Sequence, residues 1–225
     1  MKKHSLAVAA FVALASVAQA QEADRRFKIL QPSEMTQPQK DLVKSIASGP
    51  RASVSGSAAN SSDGTVGSPF NVFLRSPELG DHLQKVGSYI RFKSTLGMRL
   101  NELAILVTAR HWTSQYEWFA HHRLALQAGL DPKIADDIAN GRRPTTMKPD
   151  EEAIYNFSSE MHSAKQVSDA TYKAVLDRFG EQGVMDLIAV NGYYSLVSMV
   201  LNVDRTPIPG GGKPPLPMLP VQAGK

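Results

Sequence analysis

The chain has 225 residues, 42% of them hydrophobic and 20% charged, with a formal charge of +4 and no cysteine. This is enough for one globular domain with a core of its own. The missing cysteines exclude disulfides and thiol chemistry, and the weak charge with no dense Lys/Arg run gives no footing for nucleic-acid binding.

Met1-Lys2-Lys3-His4 is a basic start, Leu6 to Val17 an apolar run, and Ala18-Gln19-Ala20 a stretch of small residues. That order predicts a secretory signal peptide over 1–20, cleaved after Ala20. The apolar run falls short of the roughly 20 residues that span a bilayer as a helix. Loss of Lys2 and Lys3 lowers the formal charge from +4 to +2. The mature chain is then expected in the periplasm or outside the cell. No other segment reads as a membrane span, so no membrane contact is expected after cleavage.

Residues 21–69 read as an N-terminal arm. Its polar lead-in contains Pro32 and Pro38, and a short helix over Gln39 to Ser48 places Leu42, Val43 and Ile46 on one side. Gly49-Pro50 ends that helix, and the Ser-, Gly-, Ala- and Asn-rich stretch from Arg51 to Ser68 predicts a long surface loop. Order returns at Pro69 to Leu74. Ser76, Pro77 and Glu78 give an N-cap, a first-turn proline and an acidic start to a helix. Its apolar stripe is Leu79, Leu83, Val86 and Ile90.

The next helix, Arg99 to Trp112, is apolar nearly all round and should be buried on most faces. A third runs from Ser114 to Ala128 and stops at Gly129, a residue suited to the left-handed cap. Asp131-Pro132 opens another, through Ile134 and Ile138 to Gly141. Pro149-Asp150-Glu151-Glu152 starts one that reaches Ser163. Ser168 or Asp169 caps the next, which ends at Phe179-Gly180. The last covers Glu181 to Asn202, with Leu187, Val190, Tyr194, Val197 and Leu201 on a packed seam. Residues 206–225 are Pro- and Gly-rich and form an extended tail laid on the surface or on a neighbouring subunit. No strand pattern and no repeat is visible. The fold class is all-α.

Chemistry concentrates between Glu102 and His122. On a helical wheel Ser114, Glu117 and His121 share a face, and an antiparallel turn near Trp112-Thr113 brings Glu102 towards them, with Tyr116 close by. A carboxylate beside an imidazole fixes its tautomer and favours its charged form, while burial opposes that charge. Such a pair suits proton transfer near neutral pH. The plainer alternatives are a first-turn carboxylate at Glu102 and an ordinary i,i+4 surface pair at Glu117 and His121, worth about 0.2–0.5 kcal/mol. Two details argue against them: Glu102 sits in apolar sequence, and Trp118 and Phe119 flank the pair. A metal site is disfavoured because there is no HExxH and no His pair at i,i+4, and a Ser–His hydrolase because there is no GxSxG elbow. His82 and His162 read as isolated surface residues.

The order Glu102, Ser114, Glu117 and His121 resembles the Glu-x11-Cys-x2-Cys-x3-His pattern of the carboxymuconolactone decarboxylase/AhpD-like family. RLNELAILVTARHW, YEWFAHHRLALQAGL and GYYSLVSMVLNV are similar to the family's flanking text, so the resemblance covers about residues 70–205. It implies an AhpD-like multi-helix bundle over 70–205 that assembles as a homo-oligomer, a trimer or hexamer. Ser114 and Glu117 stand where the redox branch has cysteines, so peroxidase or disulfide-reductase activity is not implied. What remains is a lyase or isomerase without cofactor or metal, with a small-molecule lactone or keto acid as substrate. Its catalytic set would be Glu102, Glu117, His121 and Tyr116, and its substrate contacts Arg110, Arg123, Ser114 and Trp118. The alternative is a non-catalytic ligand-binding or scaffold oligomer of the same fold.

Overall fold

The computed structural model describes residues 24–54, 57–59 and 63–219; the expected signal peptide and the last residues of the tail lie outside them. Among the described residues there are eight α-helices and no strand. They are α1 (Gln37–Ala47), α2 (Phe70–Phe73), α3 (Pro77–Lys93), α4 (Met98–His111), α5 (Gln115–Gln127), α6 (Pro132–Ala139), α7 (Pro149–Ala164) and α8 (Asp169–Asp204). The protein is all-α.

Local chemistry sets the boundaries. The Asp131 carboxylate accepts from Lys133 N at 2.8 Å and so caps α6. Ser168 accepts from Thr171 N and caps α8. Ser76 stands at the N-cap of α3, but its hydroxyl makes no capping bond. Gly129 ends α5 at φ +89°, a backbone state that costs glycine nothing. Gly180, at φ +67° and ψ −177°, breaks α8 into two helical segments at the expected Phe179-Gly180 boundary.

Helix α4 is the central element, buried continuously from Leu100 to Arg110, with α5, α7 and the second half of α8 packed around it. Leu187, Val190, Tyr194, Val197 and Leu201 form the inner seam of α8 and all lie in the main core. The expectation that no segment past the leader could span a membrane needs correction. Helix α8 is long and apolar enough by length and composition, although over half of its most apolar window is buried inside the bundle. That burial accounts for its hydrophobicity.

Two further expectations change on contact with the structure. The buried face of α3 is Gly80, Gln84, Gly87 and Ile90, while Leu79 and Val86 of the expected stripe are 54% and 47% exposed. The cause is close approach. A Cβ on Gly80 would meet Leu42 Cδ2 and Phe73 O at 2.8 Å, and one on Gly87 would meet Tyr193 Oη at 2.3 Å. The glycine face therefore takes the neighbours, and the helix is turned away from its leucine–valine edge.

The arm is also more deeply engaged than its composition suggests. Arg51, Ala59, Val66 and Ser68 are buried, although Arg51 to Ser68 reads as a surface loop. Ala59 and Val66 join Met35, Leu42, Ile46, Phe70, Phe73 and Leu74 in a second, smaller core. Asp204 at the end of α8 is fully buried and holds the start of the arm. Its Oδ2 accepts from Arg25 Nη1 at 2.7 Å and Ser68 Oγ at 2.9 Å, and its Oδ1 from Phe27 N at 3.0 Å. The tail returns along the chain's own bundle. Leu216 is buried, and its backbone N–H and C=O pair with the Gln115 amide at 2.8 and 3.0 Å.

Candidate functional site

The turn that joins α4 to α5 positions the site. Thr113 adopts φ +46°, and Ser114 N reaches back to Ala109 O at 2.9 Å, so α5 folds antiparallel along α4. Glu102 on α4 then meets His121 on α5. The His121 Nδ1 to Glu102 Oε2 distance is 2.7 Å, and Nε2 lies 3.0 Å from Glu117 Oε1 one turn earlier on the same helix. All three side chains are buried, at 3% (Glu102), 3% (Glu117) and 6% (His121) exposure, which rules out a surface pair. The Nε2–Oε1 approach is an ion contact but lies off hydrogen-bond geometry, so Glu117 Oε1 has no hydrogen-bond partner. Tyr194 of α8 sets its ring edge-on against the imidazole, centroids 5.0 Å apart.

These contacts decide the charge of His121. Burial disfavours the imidazolium, but Glu102 and Glu117 together outweigh it, and the pKa is raised to about 9. At neutral pH the ring is a cation clamped between two carboxylates. Its Nδ1–H donates to Glu102, and its Nε2–H is directed to the Glu117 side. Both ring nitrogens face carboxylates.

A cavity of about 580 Å³ opens at this cluster. Glu117, His121 and Tyr116 line it, while Glu102 stays behind the imidazole. Arg123 also lines it. The other expected substrate contacts lie outside the lining. Arg110 donates to Ala139 O, Pro217 O and Thr113 Oγ1 and fastens the tail. Ser114 is fully buried with no partner for its hydroxyl. Trp118 is buried, stacks on His122 and lines a separate pocket.

Among the cavity residues that the sequence did not reveal are Arg51 from the arm, Arg91 from α3, and Tyr193 and Tyr194 from α8. Tyr194 was visible as a core residue only. Burial raises the Tyr193 phenol to about 12, so it is a hydrogen-bond donor at any physiological pH. A second buried polar cluster lies away from the cavity, and it corrects the placement of His162 on the surface. His162 is buried at 8% exposure, lies 2.9 Å from Thr108 Oγ1 and stacks on His111 at 4.7 Å. Burial, helped by the neighbouring His111, lowers its pKa to about 4. His82 is exposed, as expected.

Fold and site together define an all-α bundle with an imidazolium–dicarboxylate cluster at the wall of a cavity. Compared with known proteins, the chain matches no protein-family model, no curated protein and no solved structure.

Proposed function

We propose that this protein is a cofactor-free acid–base catalyst, a lyase or isomerase of the carboxymuconolactone decarboxylase type, acting on an enolisable lactone or keto acid. The observation that carries the proposal is His121 on the cavity wall, held at Nδ1 by Glu102 and facing Glu117 through Nε2. In a decarboxylation the bond to the departing carboxylate breaks and its electron pair enters an enolate. His121 Nε2–H then protonates the enolate carbon, and solvent returns the proton. Glu102 keeps the ring oriented, as the carboxylate partner of a catalytic histidine does elsewhere. In an isomerisation Glu117 removes the α-proton and His121 delivers one at the new position. Tyr116, on the same wall, supplies a phenolic donor to the substrate oxygen.

The sequence resemblance over 70–205 supports the same class, and the leader pattern supports action in the periplasm or outside the cell. The homo-oligomer, a trimer or hexamer, has a candidate face in Met185, Ile188, Met199 and Val203, which α8 leaves exposed. Sedimentation of the mature chain measures its state, and a monomer at micromolar concentration refutes the assembly.

Turnover is tested by screening lactones and β-keto acids for carbon dioxide release and for deuterium uptake from heavy water. His121→Asn and Glu117→Gln should each lower the rate on an accepted substrate by about 10²–10⁴-fold, the usual worth of a general acid or base. Unchanged rates in both variants sink the proposal.

A further inference from the structure

Among the described residues Arg51 is a buried cation without an anion. It is 4% exposed, in the single 3-10 turn Pro50–Ser53 that follows α1. Its one hydrogen bond runs from Nη1 to Gln84 O at 2.9 Å, and the guanidinium carbon lies 5.3 Å from the centre of the Phe70 ring. Among the described residues no carboxylate lies within ion-pair distance of it, whereas the partly buried Arg25 has Asp204 and Arg99 has Asp150 and Glu151. Arg110 also lacks a carboxylate among the described residues, but its Nη1 and Nη2 donate to three acceptors of the fold, and it is not on the wall of the cavity at His121. Arg51 is. Burying a guanidinium without a counter-charge is costly.

The surroundings are built for that arrangement. A Cβ on Gly87 would sit 2.5 Å from Arg51 Nη2 and 2.3 Å from Tyr193 Oη, so the missing side chain lets both donors approach the same point on α3. Arg91, a second cavity-lining cation, likewise has no ion-pair partner among the described residues. Among the described residues the only carboxylate on the wall is Glu117, which faces His121.

We infer that Arg51 and the Tyr193 hydroxyl form an anion subsite in this cavity, with Arg91 adding charge, and that its ligand is a small organic acid held by its carboxylate. A guanidinium fork matches a carboxylate in geometry. Val54, Phe70, Leu124 and Val197 on the same walls suit a carbon skeleton, which selects an organic acid over an inorganic anion. The volume is that of a small-molecule site. The inference deepens the acid–base reading and rests on it only for what happens to the bound acid: the subsite anchors the carboxylate while another part of the molecule meets Glu117 and His121.

Calorimetric titration of the mature chain with 4-oxopentanoate, its methyl ester and inorganic phosphate tests the subsite without any variant. The acid should bind about ten- to a hundredfold more tightly than the ester, the worth of charge-assisted hydrogen bonds. Equal binding of acid and ester, or phosphate binding as tightly as the acid, overturns the inference. Arg51→Gln should abolish the preference for acid over ester while the protein still melts cooperatively. Arg51→Lys should recover part of it, because charge survives and the fork does not. A natively folded Arg51→Gln that keeps the full preference also overturns it. His121→Asn separates the two proposals. Acid binding retained in that variant, with no substrate turned over by the wild type, removes the catalytic reading and leaves the subsite. Turnover that is indifferent to Arg51→Gln removes the subsite and leaves the catalyst.

Discussion

Replacing Glu102 by Gln removes one charge from the cluster and almost no volume. In the wild type the His121 pKa stands at about 9 against an ordinary 6.5, which corresponds to about 3 kcal/mol of preference for the imidazolium. The folded-state value lies above the unfolded one, so this contribution to stability is complete below about pH 6.5 and is lost as pH climbs through 9. Glu102→Gln leaves burial opposed by Glu117 alone, and the pKa should fall towards or below its ordinary value. Stability near pH 6 should then drop by about 3 kcal/mol, in line with removal of one partner from a buried ion pair. Near pH 10 the two proteins should converge. Urea unfolding across this range, followed by circular dichroism, gives the stability. Imidazole nitrogen shifts in the same buffers give the pKa. A wild-type His121 that titrates near 6.5, or a variant whose alkaline stability loss matches the wild type's, would refute the electrostatic reasoning.

His162 should shape the acid side in the opposite sense. Its folded pKa is lowered to about 4, so the unfolded chain binds the extra proton first, and stability should fall as pH drops from 6.5 through 4. His162→Gln should flatten that limb in the same urea series. Gly87→Ala should cost about 1–3 kcal/mol by overpacking against Tyr193 and Arg51, read as a lower midpoint of thermal unfolding. Gly180→Ala meets no neighbour, yet its backbone state is closed to side chains, so it should cost about 1–3 kcal/mol through strain alone. A variant as stable as wild type shows that α8 can straighten there.

What was legible in the sequence was local. Asp131-Pro132, Ser168, Gly129 and Gly180 act through their own backbone, so their boundaries could be read without a partner in view. The Glu102–Glu117–His121 cluster was legible because a tight turn makes two neighbouring helices predictable companions. Arg51 was not, because its role depends on an arm folding over helices far along the chain, and small residues around it look like solvent-facing loop. Leu79 and Val86 misled for a related reason. Periodicity weighs side chains, and α3 is packed by the two glycines that lack them. Nothing in the sequence around His162 betrays that Thr108 and His111, on another helix, enclose it.

Asp204 has a consequence for the order in which the molecule is made. The contact between Arg25 and Asp204 spans 179 positions, nearly the whole described chain, and the arm it fixes also carries Arg51 to the cavity. A ribosome-bound chain that stops short of α8 lacks Tyr193, Tyr194 and the anchor of its own beginning. Helices α4 and α5 can pair as soon as both have emerged, because that closure is short, whereas the arm must wait for the last helix. The Glu102–His121 contact thus needs only a short closure, whereas the cavity needs both ends of the described chain. The site acquires its walls only when the two ends of the domain find each other.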